Sequence, residues 1–92
     1  MDIGTAIKTI RSRKHITQKD LAAKCKISAN ALCSIEKNCA FPSKETIKKI
    51  CDALEIPISY LLFFSITDED IPEEKLCVFN ALKEPIEKIL ID

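Results

Sequence analysis

Asn30, Ser34 and Lys37 follow one another at intervals of four and three residues, which in a helix gathers an amide, a hydroxyl and an ammonium on one face. The amide donates and accepts side by side, the hydroxyl does either, and the ammonium seeks anions. Such a set recognises; it has nothing with which to make or break a covalent bond. Elsewhere, His15 is the only histidine and ends a basic cluster, where it suits a helix C-terminus or a phosphate. No nucleophile or paired carboxylate is spaced to work with it, so the sequence predicts no enzyme.

The five cysteines, Cys25, Cys33, Cys39, Cys51 and Cys77, form no Cys-x-x-Cys pair, and His15 stands near none of them. Zinc spacing is absent, and neither a metal nor a cofactor is expected. Cys25 and Cys51 fall on apolar stripes and read as small core hydrophobes. The odd count, with no paired spacing and no signal peptide, points to a reducing cytoplasm. Cys33 shares the face of Asn30 and Ser34, where an alternative reading is a thiol that makes binding sensitive to oxidation.

Start signals define the elements that carry this face. Thr17 can cap a helix through its hydroxyl, and Asp20 completes a capping-box pattern, with Leu21, Ala22 and Cys25 on one side. A turn at 25–27 follows, Ile27 plugs it, and Ser28 caps a second helix to about Lys37. At about 100° per residue, Ala31, Leu32 and Ile35 point inward with Glu36 at the margin. Asn30, Cys33, Ser34 and Lys37 point outward with Ala29 at the edge. Two short helices in this arrangement offer the second to a major groove, because a small polar face lets the backbone approach base edges.

Thr17-Gln18, Leu21-Ala22, Ile27-Ser28 and Ile35-Glu36, preceded by Ile10-Arg11 and followed by Pro42-Ser43 and the run 47–54, resemble the phage repressor and Cro-type helix-turn-helix family, also called the xenobiotic response element family. The resemblance covers roughly residues 3–64. It implies an all-α, five-helix lambda-repressor-like domain whose third helix reads double-stranded DNA, usually as a homodimer on a pseudo-palindromic site. By the same resemblance Arg11 pairs with Glu36, and Gln18 bonds a phosphate and buttresses the third helix. The DNA-binding set is then Arg11, Gln18, Ser28, Ala29, Asn30, Ala31, Cys33, Ser34, Lys37 and Lys44. Lys26 stands where the family usually has Gly, which predicts a strained or reshaped turn, and Asn38 stands where Gly often ends the recognition helix. The function implied is a transcriptional repressor. The alternatives are an antitoxin whose tail binds a protein partner, or a restriction-modification controller.

Composition agrees with a small helical protein. The 92 residues are 47% hydrophobic with one Gly and 4 Pro, and their β-branched residues recur at helical spacing, so no sheet is expected. The zero net charge hides a division: 1–56 holds 11 basic and 6 acidic residues, whereas 57–92 holds 3 and 8. The basic part suits phosphates and the acidic part must point away from them. Further helices are predicted over 2–14, from Ser43 through Leu54, and after Pro57. The run 60–64 is far too short to span a bilayer at about 20 residues, and no membrane is implied.

The organisation predicted is a DNA-binding domain over 1–66 and an acidic linker with a helical extension over 67–92. A helix starts at Glu73 and Pro85 interrupts it, leaving one kinked helix or two short ones. Leu76, Phe79, Leu82, Ile86 and Ile89 make an apolar stripe. It serves either as extra core against the fifth helix or as a dimer interface, the reading favoured from the sequence.

Overall fold

Four helix starts are closed by a side chain that satisfies a backbone N–H otherwise left without a partner. Asp2 Oδ1 accepts from Thr5 N–H at 2.9 Å, Thr17 Oγ1 from Asp20 N–H at 3.1 Å, Ser28 Oγ from Ala31 N–H at 3.0 Å and Ser43 Oγ from Thr46 N–H at 3.2 Å. These caps start α1 (Ile3–Arg13), α2 (Gln18–Cys25), α3 (Ala29–Glu36) and α4 (Lys44–Leu54). Pro57, preset for a helix start, precedes α5 (Ile58–Ser65). The chain ends in α6 (Leu76–Ile91), reached through 3-10 turns at Asp68–Asp70 and Glu73–Lys75. The computed structural model describes residues 1–91, and no strand occurs among them.

The helices stop without glycine. His15, Lys26, Asn38 and Glu55 take left-handed backbone at φ values of 59°, 58°, 61° and 58°. Lys26 and Asn38 fall where the sequence places a turn; His15 and Glu55 do the same work after α1 and α4. The one glycine, Gly4, lies inside α1 at a close approach, where a Cβ would collide with the Ile35 carbonyl and the Asn38 side chain.

Within this frame α1 packs against α5 and α3, and α2 against α3 and α4. Ile7, Ile10, Leu21, Leu32, Ile50, Leu54 and Leu61 are sealed from solvent, each contributing about 1.5–3 kcal/mol of burial. Ala22, 2% exposed, is small where α2 meets its neighbours. Cys25 and Cys51 are buried, and burial pushes both thiols above their usual range, so they pack as apolar groups.

The tail differs from its sequence reading in two ways. It begins with a 3-10 turn at Glu73–Lys75, and α6 then runs unbroken through Pro85. Contacts along its length hold it: the Phe79 ring lies 6.2 Å from Phe63, Lys83 Nζ donates to the Ile66 carbonyl at 3.1 Å, Glu87 meets Arg13 at 3.4 Å, and Leu90 and Ile91 pack on the core. The stripe also divides. Leu76 and Phe79 are half-buried, whereas Leu82, Ile86 and Ile89 are exposed together with Val78. At about 100° per residue, Val78, Leu82, Ile86 and Ile89 occupy an arc of about 80°, apart from the face that Phe79, Lys83 and Glu87 turn to the rest of the chain.

Candidate nucleic-acid interface

The α2–α3 corner consists of Lys26, Ile27 and Ser28. Left-handed Lys26 donates its N–H to Ala23, and Ile27 donates to Ala22 at 3.1 Å, which reverses the chain within a few residues. Ser28 then restarts it as α3.

Glu36 fixes the far end of α3. Its carboxylate, 2% exposed, accepts from Arg11 Nε at 2.8 Å, Arg11 Nη2 at 3.0 Å and Gln18 Nε2 at 3.1 Å. Arg11 Nη1 donates to the Ile16 carbonyl at 2.9 Å. One buried carboxylate thus ties α3 to α1 and α2, and the guanidinium extends the tie to the connecting loop. A charge-assisted, two-pronged pair is directional as well as strong. Arg11, with all three nitrogens engaged and its side chain 13% exposed, sits inside the bolt and not on the outer surface. Gln18 has one amide proton committed to Glu36.

A second bolt lies just beyond. Asn38 Oδ1 accepts from Gly4 N–H at 3.1 Å, and Asn38 Nδ2 donates to Asp2 Oδ1 at 2.8 Å. The Thr5 N–H, then the Asn38 amide, hold the Asp2 carboxyl below the usual carboxylate range. The sequence marks Asn38 only as a turn residue, because its side-chain partners lie at the other end of the first helix. In the sequence Arg13 shows only as a member of the basic cluster before His15, yet its guanidinium stands 5.5 Å over the Phe64 ring and contacts Glu87.

With α3 held this way, Ser28, Ala29, Asn30, Ala31 and Lys37 are exposed, and Cys33 and Ser34 are half-exposed beside them. Ala31 departs from its predicted inward position: the buried stripe is Leu32, Ile35 and Glu36, and Ala31 lies about 90° from its centre. Glu36, read from the sequence as marginal, belongs inside because Arg11 and Gln18 receive it there. Among the described residues Asn30 makes no side-chain hydrogen bond, so its amide is free. Lys44 is exposed in the first turn of α4. No cluster able to hold a metal and no buried side-chain polar atom without a partner occurs among the described residues.

Two helices joined by a three-residue corner, with the second presenting a bare, small, polar face, define a helix-turn-helix protein. A helix-turn-helix family model matches residues 7–61, and the chain belongs to that family. It is similar to the immunity repressor protein of Bacillus phage phi105, with 31% identity over 84 residues, covering 91% of this chain and 56% of that relative. The chain therefore spans little more than half that repressor's length. Its fold is like that of the clp gene regulator ClgR from Corynebacterium glutamicum, with a TM-score of 0.68 and 21% identity over 97% of this chain and 86% of the other. No helix among the described residues is long and apolar enough to cross a membrane.

Proposed function

We propose that the protein is a sequence-specific DNA-binding transcriptional repressor that acts by occupying an operator. The observation that carries this reading is the exposed face Ala29, Asn30, Ala31 and Lys37, on a helix whose inner side is locked by Glu36. In a major groove the Asn30 amide pairs with the N6 and N7 edge of adenine, Ser34 reads at shorter range, and Ala29 and Ala31 offer methyl contacts to thymine. Lys37, Lys44 and the free amide proton of Gln18 meet phosphates, and Ser28 and Cys33 border the groove. Arg11 contributes by holding α3.

A single recognition helix touches few base pairs, and useful specificity calls for two half-sites about one turn, or 34 Å, apart. We assign the second to a homodimer joined through α6. Val78, Leu82, Ile86 and Ile89, of which Ile89 is 79% exposed, support this, because their spacing is nearly symmetrical about its midpoint. In an antiparallel pair Val78 of each copy faces the other's Ile89, and Leu82 faces Ile86. The same exposed face favours one second reading, a protein partner of another kind gripped by the tail.

Selection of bound duplexes from a random pool tests the reading. Enrichment of two inverted half-sites is the expected result, and recovery of sequences no different from the input pool refutes specific binding. Sedimentation of Leu82→Glu separates the assemblies. A shift from dimer to monomer is expected, and a wild-type chain that sediments as a monomer at micromolar concentration removes the homodimer in favour of another partner.

A further inference from the structure

Phe41 is 80% exposed, the most exposed of the large hydrophobic side chains, and it sits on a loop that is held at every other point. On one side, left-handed Asn38 is bonded to Gly4 and Asp2, and the N–H groups of Cys39 and Ala40 both donate to the Ser34 carbonyl, at 2.9 and 3.2 Å. On the other, Pro42 is buried and Ser43 caps α4. A residue before proline is confined to extended backbone, so Phe41 itself has little freedom. A loop tip carrying a phenyl ring in water, pinned to the recognition helix at Ser34, is presented surface and not slack chain.

The charge beside it identifies the partner. Lys37 and Lys44 are exposed on either side of the loop, whereas the Glu36 carboxylate is buried and paired and that of Asp2 is engaged by Thr5 and the Asn38 amide. An apolar ring framed by free cations suits a strand of DNA, whose deoxyribose walls are apolar between phosphates. With α3 in a major groove, a loop leaving its C-terminal end meets the sugar-phosphate strand that borders the groove. The geometry points to Phe41 as a further DNA-contact residue, its ring packed against deoxyribose while Lys37 and Lys44 take the flanking phosphates. This rests on the DNA-binding reading above.

The test uses the full chain and the duplex that the wild-type protein selects from a random pool. Phe41→Ala weakens binding about tenfold, and leaves the slope of log affinity against log salt unchanged, since no phosphate charge is lost. Lys44→Ala lowers that slope by about one unit. Phe41→Leu keeps most of the affinity, and hydroxyl-radical footprinting shows sugars protected by the wild type and bared by Phe41→Ala. Unaltered affinity in Phe41→Ala overturns the proposal, as does a loss that comes with dissociation of the dimer in sedimentation. Failure of the wild type to select any duplex refutes the DNA reading itself, and is distinguishable from both.

Discussion

Glu36→Gln keeps the length and shape of the side chain and removes its charge, so it probes the bolt with little change in packing. The carboxylate accepts three hydrogen bonds, two from a guanidinium that is itself 13% exposed. The amide presents one oxygen and one NH2 group to those donors, so at least one N–H of Arg11 or Gln18 faces another donor. Removing one partner of a buried pair costs about 3–5 kcal/mol, and the residual hydration of Arg11 puts this site at about 3 kcal/mol. Small domains are stable by about 5–15 kcal/mol, so the variant folds with a visibly lower margin. With a urea m-value of about 1–1.5 kcal/mol/M, the unfolding midpoint by circular dichroism falls about 2–3 M. Replacing both partners, Arg11→Met with Glu36→Leu, recovers most of that loss, because no buried charge is then stranded. DNA affinity does not follow stability back in the double variant, since α3 has lost its directional tie. A Glu36→Gln midpoint within about 0.5 M of wild type at equal m refutes the reasoning.

Asn30→Ala lowers preference at one base pair by about 1–3 kcal/mol, whereas Lys37→Ala weakens every duplex alike and lowers the salt slope by about one; equal loss on selected and random DNA for Asn30→Ala shows that Asn30 only positions the helix. In acid, the N-terminal ammonium and then the Thr67 N–H hold the Asp70 carboxyl at about 2, below its usual 3.8, and Asp2 is also lowered. Both folded values lie below the unfolded ones, so this stability is complete above the unfolded pKa near 3.8 and fades as pH falls toward 2; titrated unfolding of Asp70→Asn loses part of that slope, and an unchanged slope removes the ion pair from the account. Glu55→Gly relieves a left-handed strain of about 1–2 kcal/mol at the end of α4 and adds chain entropy of about 0.4–1 kcal/mol to the unfolded state, for a small net rise in the thermal midpoint. A fall in that midpoint shows that the Glu55 side chain has a stabilising role of its own.

The starts of α2, α3 and α4 are legible because each follows a Ser or Thr whose capping chemistry is local, whereas Asp2, counted in the sequence as the first helical residue, turns out to cap α1. The exposed face of α3 is legible for the same reason: Asn30, Ser34 and Lys37 share a side whatever α3 packs against. What escaped depends on partners distant in the chain. Helix periodicity alone leaves Glu36 at the margin, and its pairing with Arg11 came only through the family resemblance; Asn38 looks like a turn residue because Gly4 and Asp2 are not in view. His15 and Glu55 were missed as left-handed positions because neither residue type advertises that conformation. The sequence of the tail shows one stripe, but a helix that packs on one side and leaves another apolar side in water needs two, and hydrophobicity alone does not say which residue serves which.

The two polar bolts follow from what α3 must leave bare. A helix of eight residues is too short to hold its shape in water, and only Leu32 and Ile35 bring it apolar burial. Enlarging that apolar share would consume the face on which Asn30 and Ser34 stand, and bulky replacements would hold the backbone away from base edges. Orientation therefore comes from directional bonds at the helix's C-terminal end: Glu36 to Arg11 and Gln18, and Asn38 to Asp2 and the Gly4 backbone. Gly4 belongs to the same solution, since a Cβ there would push α1 off the Ile35 carbonyl and open the joint from behind. The only glycine in the chain is thus placed where two helices must touch, while the turns are left to residues that tolerate strain.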